Sequence, residues 1–393
     1  MPERFDLTSV TLREYRSIAR CHVALRPFNL LVGPNGSGKS NFVDSLRLVS
    51  QSLNENLDNA LRERGGVAEV RRRSTGHPRH FGIGLSFRSA RFSGEFKFQI
   101  GAVAGGDYRV TRETCRVNWQ FERPDSFYDL REGELVESSM NHASPRVVAD
   151  RLFLVAVSGL PEFRPVFDGL AGVNVFNMNP DVMREPQKPD PGDLLRRDGS
   201  NVASVLETLR RTRPDLKANV EDYLRRIVPG IESADRLEIG AWETLAFRQL
   251  VAGSPNPWSF QSTSMSDGTL RALGVLVALF AVPNGSLWSP VAIEEPESAL
   301  HPAAAGYLFD ALQTASELRQ VIATTHSPEL LDSEDLDPRS LLSVRADDGK
   351  TVIAPVNGAG IEAIRSRLFT AGELHRLDQL DPEPSPDVAQ ELF

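Results

Sequence analysis

Alternating apolar and polar positions dominate the first third of the chain, which is the pattern of strands that bury one face. Residues 5–32 alternate well enough for two or three strands, with inward-facing candidates Val10, Leu12, Ile18, Val23 and Leu25. Residues 81–121 repeat the pattern with many aromatic residues, and turns such as Gly105-Gly106 separate the runs. The pattern predicts an antiparallel sheet whose aromatic side chains form its core.

Three short apolar runs without alternation are typical of buried strands. They cover residues 28–32, 291–293 and 320–324. Apolar residues recur at helical spacing from Asn41 onward, and a second, apolar helix is predicted at 272–280. Buried strands and helices are therefore expected near both ends of the chain.

The pattern changes in the middle of the chain. Two apolar segments, 152–157 and 173–176, are predicted to be strands, whereas the four prolines of 180–191 indicate an irregular connection. Residues 202–209 and 216–228 have the spacing of two amphipathic helices. The middle of the chain is therefore predicted to be rich in helix.

Composition excludes several classes of protein. The 393 residues are 40% hydrophobic and 25% charged, which is ordinary for a globular protein. The net charge of −9 argues against a surface that coats nucleic acid, although it leaves room for a local basic patch. Cys21 and Cys115 are too few for a disulfide framework or a thiolate zinc site. No membrane span and no secretory leader are found, so we expect a cytoplasmic protein without a membrane partner.

Residues 33–40 read GPNGSGKS, which fits the phosphate-loop pattern G-x-x-x-x-G-K-[S/T] completely. A predicted strand precedes the loop and a predicted helix follows it. Glycines let the backbone approach phosphate, and N–H groups of the loop and helix start point at anionic oxygens. We expect Lys39 to reach the β- and γ-phosphates of a nucleoside triphosphate and Ser40 to bind Mg²⁺. The other predicted nucleotide contacts are Asn35, Gly36, Ser37, Gly38 and Asn41.

Two adjacent carboxylates, Glu294 and Glu295, end the apolar run at 291–293. Taken alone, this pair would indicate a surface strand end, but a phosphate loop in the same chain favours a catalytic interpretation. Successive strand residues point to opposite sides, so the two carboxylates cannot share one task. We assign Glu294 to the metal and Glu295 to the base that polarises the attacking water.

The second half of the chain holds two further candidates. Ser266 is a good N-cap, and Asp267 and Gly268 follow it, which predicts a second anion-binding helix start. His326 comes just after the predicted strand 320–324. A lone histidine there is commonly an ordinary loop residue, but beside a phosphate loop it is a candidate for γ-phosphate contact.

The ordered set GPNGSGKS, SDGTLR, IEEPESALHP and TTHSP resembles the ABC-type ATPases of the RecF and SMC branch. In that family these motifs are the Walker A loop, the signature, the Walker B motif with the D-loop, and the His switch. The resemblance implies an α/β fold: a P-loop NTPase head of two lobes, with a mixed sheet around the P-loop helix and an antiparallel subdomain. It also implies hydrolysis of ATP with Mg²⁺.

The resemblance further implies a homodimer that forms head-to-tail on ATP. The signature segment of one head, with Ser266 and Gly268 on either side of Asp267, would contact the γ-phosphate of ATP in the other. Residues 298–301 would form the D-loop at the seam, and His326 would sense the γ-phosphate.

The chain departs from the family pattern at several positions. Glu294 stands where aspartate is usual, and no Q-loop glutamine is identifiable beyond the candidates Gln99 and Gln120. The acidic residues of a nuclease domain are not found after His326, so we do not predict a nuclease. On these patterns we divide the chain into a first lobe (1–124), an α-rich insertion (125–250), a second lobe (251–380) and a flexible tail (381–393).

An arginine-rich region extends from Arg62 to Arg91, and two interpretations of it lead to different binding partners. It is either a solvated loop or a surface that contacts γ-phosphate or a nucleic-acid backbone. DNA and a separately encoded effector protein are therefore both candidate partners. One hypothesis is an ATPase whose head closure gates DNA or effector binding in DNA repair or phage defence. The alternative is a nucleotide-switched scaffold that regulates an effector without binding DNA itself.

Overall fold

The computed structural model describes residues 3–74, 78–103, 107–120, 124–140, 146–148, 150–281 and 287–384. The turn predicted at Gly105-Gly106 and residues 385–393 of the predicted tail lie outside these ranges. The strands are β1 (Phe5–Tyr15), β2 (Ile18–Ala24), β3 (Phe28–Val32), β4 (His80–Ser89), β5 (Phe92–Ala102), β6 (Tyr108–Trp119), β7 (Ser126–Arg131), β8 (Glu134–Ser138), β9 (Asn174–Phe176), β10 (Ile231–Ile239), β11 (Trp242–Gln249), β12 (Trp258–Gln261), β13 (Val291–Glu294), β14 (Val321–Thr325), β15 (Leu341–Asp347) and β16 (Lys350–Pro355). The helices are α1 (Lys39–Asn54), α2 (Leu57–Arg62), α3 (Val67–Val70), α4 (Phe153–Val157), α5 (Arg164–Ala171), α6 (Pro180–Arg184), α7 (Val202–Thr212), α8 (Pro214–Ile227), α9 (Asp267–Phe280), α10 (Ala305–Leu318), α11 (Pro328–Leu331), α12 (Gly358–Arg365) and α13 (Ala371–Arg376).

The strand before the phosphate loop lies inside a six-stranded sheet with the order β16-β15-β3-β14-β13-β9. Strands β15, β3, β14, β13 and β9 run parallel, whereas β16 pairs antiparallel with β15. In register, Val32 pairs with Thr325 and Thr324 pairs with Glu294. Because the carboxyl ends of parallel strands meet at one edge of a sheet, the loops after β3, β13 and β14 come together there.

Both faces of this sheet are covered, which explains why its strands are apolar without alternation. Leu31 and Ile322 face the core that contains α1 and the antiparallel sheet, while Leu30 and Ala323 face the core that contains α9 and α10. Helix α1 therefore lies between the two large sheets, and the phosphate loop at its start is supported from both sides.

The predicted antiparallel sheet is confirmed as a seven-stranded sheet with the order β2-β1-β4-β5-β6-β7-β8. Its aromatic residues lie in the core as predicted: Phe5 and Phe87 stack with ring centroids 5.4 Å apart, and Phe92 packs against both. This sheet and α1 share one continuous apolar core.

Residues 125–250, which we predicted to be an α-rich insertion, contribute to all three sheets of the described structure. Strands β7 and β8 extend the seven-stranded sheet, β9 is an edge strand of the six-stranded sheet, and β10 to β12 form a small antiparallel sheet. The two predicted amphipathic helices are confirmed as α7 and α8.

The prediction of a strand at 152–157 is wrong, because this segment forms the short helix α4. The carboxylate of Glu113, on β6, accepts hydrogen bonds from the backbone N–H groups of Phe153 at 2.6 Å and Leu154 at 2.8 Å. A residue on a strand that is distant in sequence thus caps the N-terminus of this helix, and the sequence around the helix does not reveal this cap.

Stability is expected to depend on pH through this cap. Burial raises the pKa of the Glu113 carboxyl to about 7 from its ordinary value of 4.5. A carboxyl that holds its proton more tightly when folded stabilises fully below pH 4.5, and this stability is lost as the pH rises through 7. The loss amounts to about 3 kcal/mol when complete.

The measurement is urea unfolding of the chain and of Glu113→Gln between pH 5 and 8.5. The NH₂ group of glutamine would meet the Phe153 N–H, two donors without an acceptor, so the variant should be less stable than the wild type at pH 5. Because glutamine does not ionise, the free energy of unfolding of the variant should also depend less on pH. Equal pH slopes for the two proteins would contradict this assignment.

Candidate active site at the carboxyl edge of the six-stranded sheet

The phosphate loop at 33–40 is shaped by glycines that the neighbouring hairpin requires. Gly38 has φ 109°, and a Cβ there would lie 2.1 Å from the Thr351 Oγ1 atom. A Cβ on Gly33 would lie 2.0 Å from the Val344 carbonyl oxygen. Thr351 donates a hydrogen bond to the Ser37 carbonyl oxygen at 2.8 Å. The β15–β16 hairpin therefore supports the loop from behind.

Lys39, the first residue of α1, is buried under the loop. Its Nζ atom donates to the carbonyl oxygens of Gly33 at 2.7 Å and Pro34 at 3.0 Å. Burial lowers the pKa of the Lys39 ammonium group, and the negative charges of Glu295 and Glu297 oppose that shift. The lysine that we predicted to reach phosphate thus lies within the field of the carboxylates that follow β13.

The other predicted nucleotide contacts differ in exposure and in hydrogen bonding. Asn35, Gly36 and Ser40 are exposed at the sheet edge, where a ligand can reach them. Ser37 is buried, and its hydroxyl oxygen has no hydrogen-bond partner within the described residues. Asn41 turns away from the loop, because its Nδ2 atom donates to the Ser17 hydroxyl at 2.7 Å.

The two adjacent carboxylates at the end of β13 have different partners. Glu294 Oε1 accepts a hydrogen bond from Arg197 Nη2 at 3.0 Å. Glu295 Oε1 lies 3.5 Å from His326 Nδ1. The backbone of Glu295 has φ 46°, a left-handed conformation that is rare outside glycine and concentrates at functional sites. The Glu295 N–H donates to the Thr324 carbonyl oxygen at 3.1 Å, which holds this turn.

Glu297 is a third carboxylate in this site, and the sequence interpretation missed it. Thr325, at the end of β14, donates its hydroxyl to Glu297 Oε1 at 2.5 Å, whereas Oε2 has no partner in the described structure. Burial raises the pKa of the Glu297 carboxyl. The available signal was its position three residues after Glu294, but only the fold turns this side chain toward Lys39.

The signature segment caps α9 and packs against residues 298–301. Ser266 Oγ accepts a hydrogen bond from the Thr269 N–H at 3.2 Å, which confirms the predicted N-cap. A Cβ on Gly268 would lie 2.5 Å from the Ala299 carbonyl oxygen, so the segment touches residues 298–301 closely. Asp267 pairs with Arg184. Throughout the described ranges, no hydrogen bond or ion pair joins this segment to the phosphate loop.

Arg271, the last residue of SDGTLR, connects α9 to the backbone at the end of β13, although the sequence analysis assigned it no role. Its guanidinium donates to the carbonyl oxygens of Glu294 at 3.1 Å and Glu295 at 3.0 Å. A third hydrogen bond, at 2.7 Å, reaches the Met178 carbonyl oxygen after β9. Arg271 therefore fixes the backbone that carries both carboxylates.

A polar cleft of about 680 Å³ opens beside Arg271. It is lined by Asn177, Met178, Asn179, Pro180, Arg196, Arg197, Asp198, Ser200 and Arg271. Our Q-loop candidates lie elsewhere, with Gln99 in β5 and Gln120 just after β6. Asn177 and Asn179 are the amide side chains that line this cleft next to β13.

His326 follows β14 directly, and its backbone contacts helix α13 near the C-terminus of the chain. Its carbonyl oxygen lies 3.2 Å from His375 Nε2 on α13. Arg376, also on α13, pairs with Asp332 at 3.0 Å. The His326 Nδ1 atom faces Glu295 and has no hydrogen-bond partner among the residues described.

Residues 28–332 match the protein family described as "AAA domain, putative AbiEii toxin, Type IV TA system". The chain belongs to this family. Its structure is similar to the SMC head bound to the C-winged helix domain of ScpA, with a TM-score of 0.55 and 14% identity over 90% of this chain and 98% of that chain. It is also similar to the Smc head domain with an extended coiled coil bound to the C-terminal domain of ScpA from Pyrococcus furiosus, with a TM-score of 0.53 and 13% identity over 93% and 99%. No curated protein matches the sequence.

These comparisons place the chain in a family of AAA domains, and they confirm the P-loop NTPase fold, similar to that of SMC heads, that the four motifs implied. At 13–14% identity, the likeness to the SMC heads concerns the fold. In the ranges that the structure covers, no helix is both long and apolar enough to cross a membrane.

The loop at 33–40 fits the phosphates of a nucleotide. Its exposed backbone carries no Cβ at Gly36, the buried ammonium group of Lys39 lies beneath it, and Ser40 is open at the helix start. Glu294 supplies a carboxylate oxygen that suits Mg²⁺. The roles of these residues stay predictions.

Proposed function

We propose that this chain binds ATP at the 33–40 loop, hydrolyses it, and dimerises head-to-tail while ATP is bound. The observation that carries the proposal is the meeting of Lys39, Glu295 and His326 at the carboxyl edge of three neighbouring strands. A buried cation, a carboxylate and an imidazole in one place can bind phosphate, accept a proton from water and stabilise charge on the departing phosphate.

Each residue has a distinct task in this proposal. Lys39 binds the β- and γ-phosphates, and Ser40 with Glu294 holds Mg²⁺, which neutralises phosphate charge when bound. Glu295 orients the attacking water and accepts its proton. His326 Nδ1, which faces Glu295, is available to hydrogen-bond the γ-phosphate.

The exposed start of α9 supports the head-to-tail dimer. Ser266 and Gly268 offer a helix N-terminus that suits an anion, yet within the described residues no hydrogen bond or ion pair joins them to the loop of their own chain. A second copy that brings this N-terminus to the γ-phosphate satisfies both observations. Gly268 packs against Ala299, so the signature and D-loop segments would reach the seam together.

In the arginine-rich region 62–91, ion pairs with carboxylates favour the second candidate function, which is a nucleotide-switched scaffold for an effector protein. Within the described residues, five of the eight arginines in this region pair with carboxylates: Arg62 with Asp58, Arg64 with Asp44, Arg72 with Glu14, Arg73 with Glu69 and Arg91 with Glu3. Neutralised arginines attract a polyanion weakly. Gating of DNA, in repair or phage defence, therefore has less support from this region than its composition suggested.

The deciding experiment measures ATP turnover with and without double-stranded DNA, and the mass of Glu295→Gln with and without ATP. We expect slow turnover and an ATP-dependent doubling of mass. Stimulation by DNA, with a steep salt dependence, would support DNA gating. A dimer that is indifferent to DNA would support the scaffold, and a monomer under all conditions would contradict the head-to-tail proposal.

A further inference from the structure

The carboxylate that we assign to the metal already has a cationic partner. Arg197 Nη2 lies 3.0 Å from Glu294 Oε1, and only 14% of the Glu294 side chain is exposed, against 43% for Arg197. Arg197 belongs to none of the four motifs and lies in the middle of the chain. The pair places a guanidinium where the proposed function requires a divalent cation.

Backbone hydrogen bonds fix the position of Arg197. Its carbonyl oxygen accepts from the Asn177 N–H at 3.0 Å, and the Asp198 carbonyl oxygen accepts from the Asn179 N–H at 3.0 Å. The segment that carries Arg197 is thus joined to the residues after β9, the strand that pairs with β13. The ion pair is therefore built into the fold and is not a chance contact between two mobile side chains.

Two further guanidinium groups lie near Arg197. Burial and then the positive charge of Arg197 lower the pKa of Arg47 on α1, so these two guanidinium groups repel each other. Arg271 lies on the same side and lines the same cleft. Among the described residues, Glu294 is the one carboxylate with which Arg197 forms an ion pair.

We propose that Arg197 competes with the metal ion for Glu294 and thereby sets the Mg²⁺ concentration at which this chain binds its nucleotide. The inference rests on the proposed function. Displaced from Glu294, the guanidinium would remain in the cleft of about 680 Å³ that Arg197 already lines, where Asn177, Asn179 and Asp198 offer oxygen acceptors. Tight nucleotide binding would then begin only when Mg²⁺ is plentiful enough to displace the arginine.

The test measures binding of a fluorescent, non-hydrolysable ATP analogue by the full chain while MgCl₂ is raised from zero in EDTA-treated buffer. Removing the competing cation should lower the Mg²⁺ concentration at half-maximal binding about two- to fivefold in Arg197→Ala, as expected for a partly exposed ion pair. Arg197→Lys keeps the charge and should stay near the wild-type value. Binding of the analogue without Mg²⁺ should be the same in all three proteins, since the competition concerns the metal.

Arg196→Ala is the matched control, because the neighbouring arginine pairs with Asp190 and not with Glu294. Its half-maximal Mg²⁺ concentration should equal that of the wild type. An unchanged value in Arg197→Ala, or an equal shift in Arg196→Ala, overturns the inference. If the wild-type chain fails to bind the analogue at any Mg²⁺ concentration, the proposed function itself fails, which is a separate result.

Discussion

Replacing Glu295 with glutamine is expected to lower ATP turnover about 10²- to 10⁴-fold, the range for loss of a general base. Glutamine keeps the size of the side chain but cannot accept the proton of the attacking water. ATP binding should remain, because Lys39 and the loop backbone are untouched. The dimer held by ATP should therefore accumulate. The measurements are phosphate release, binding of ATP at equilibrium, and mass by analytical ultracentrifugation.

Two control variants sharpen this prediction. Glu317→Gln changes an exposed glutamate on α10 and should leave turnover unchanged. Glu297→Gln tests the carboxylate that the sequence interpretation missed. Glu297 is partly buried, burial raises its pKa, and its charge acts on Lys39, so among the described residues it is a rival candidate for the base. If Glu297→Gln abolishes turnover and Glu295→Gln does not, the assignment of the base moves to Glu297.

Replacing Lys39 with alanine is expected to weaken ATP binding at least about tenfold and up to about 100-fold, since a hydrogen bond to a charged group is worth about 1.5–3 kcal/mol. Without nucleotide, Lys39 Nζ donates to the Gly33 and Pro34 carbonyl oxygens, so alanine also leaves those acceptors without their donor. Turnover should fall with binding. Isothermal titration calorimetry with ATP measures the affinity directly.

Lys350→Ala is the control for Lys39→Ala. Lys350 is exposed at the start of β16, next to the threonine that supports the loop, so its removal changes the net charge equally without touching the site. Its affinity for ATP should equal that of the wild type. If both variants weaken binding to the same extent, net charge and not the buried ammonium group would account for the effect.

The phosphate loop could be predicted from the sequence because its chemistry is local. Glycines, a lysine and a serine at fixed spacing determine how eight successive residues can turn, and the apolar runs on either side indicate the strand and the helix. The same holds for the antiparallel sheet, whose alternation is confirmed through β1, β4, β5 and β6. The N-cap at Ser266 is also a local feature, and it is confirmed.

Strand geometry predicted that the two carboxylates would point to opposite sides, but β13 ends at Glu294 and Glu295 has φ 46°, so the strand argument does not extend to Glu295. The partners of the two carboxylates were not predicted. Arg197 contacts Glu294, which is 97 residues away in sequence. His326 lies beside Glu295, which is 31 residues away. Those contacts depend on the order of strands in the sheet, which brings β9 and β14 to either side of β13.

The amino-acid sequence was sufficient for the phosphate loop, the paired carboxylates, the signature helix and the family resemblance, because each depends on residues close together in the chain. The tertiary structure alone revealed the helix that Glu113 caps at Phe153, the threonine hydroxyl that supports the loop from β16, and the guanidinium of Arg197 on Glu294. Each of these joins residues that are far apart in sequence. Such contacts form only when elements that are distant in the chain pack together, and the contact of Arg197 with Glu294 depends on the neighbouring parallel strands β9 and β13.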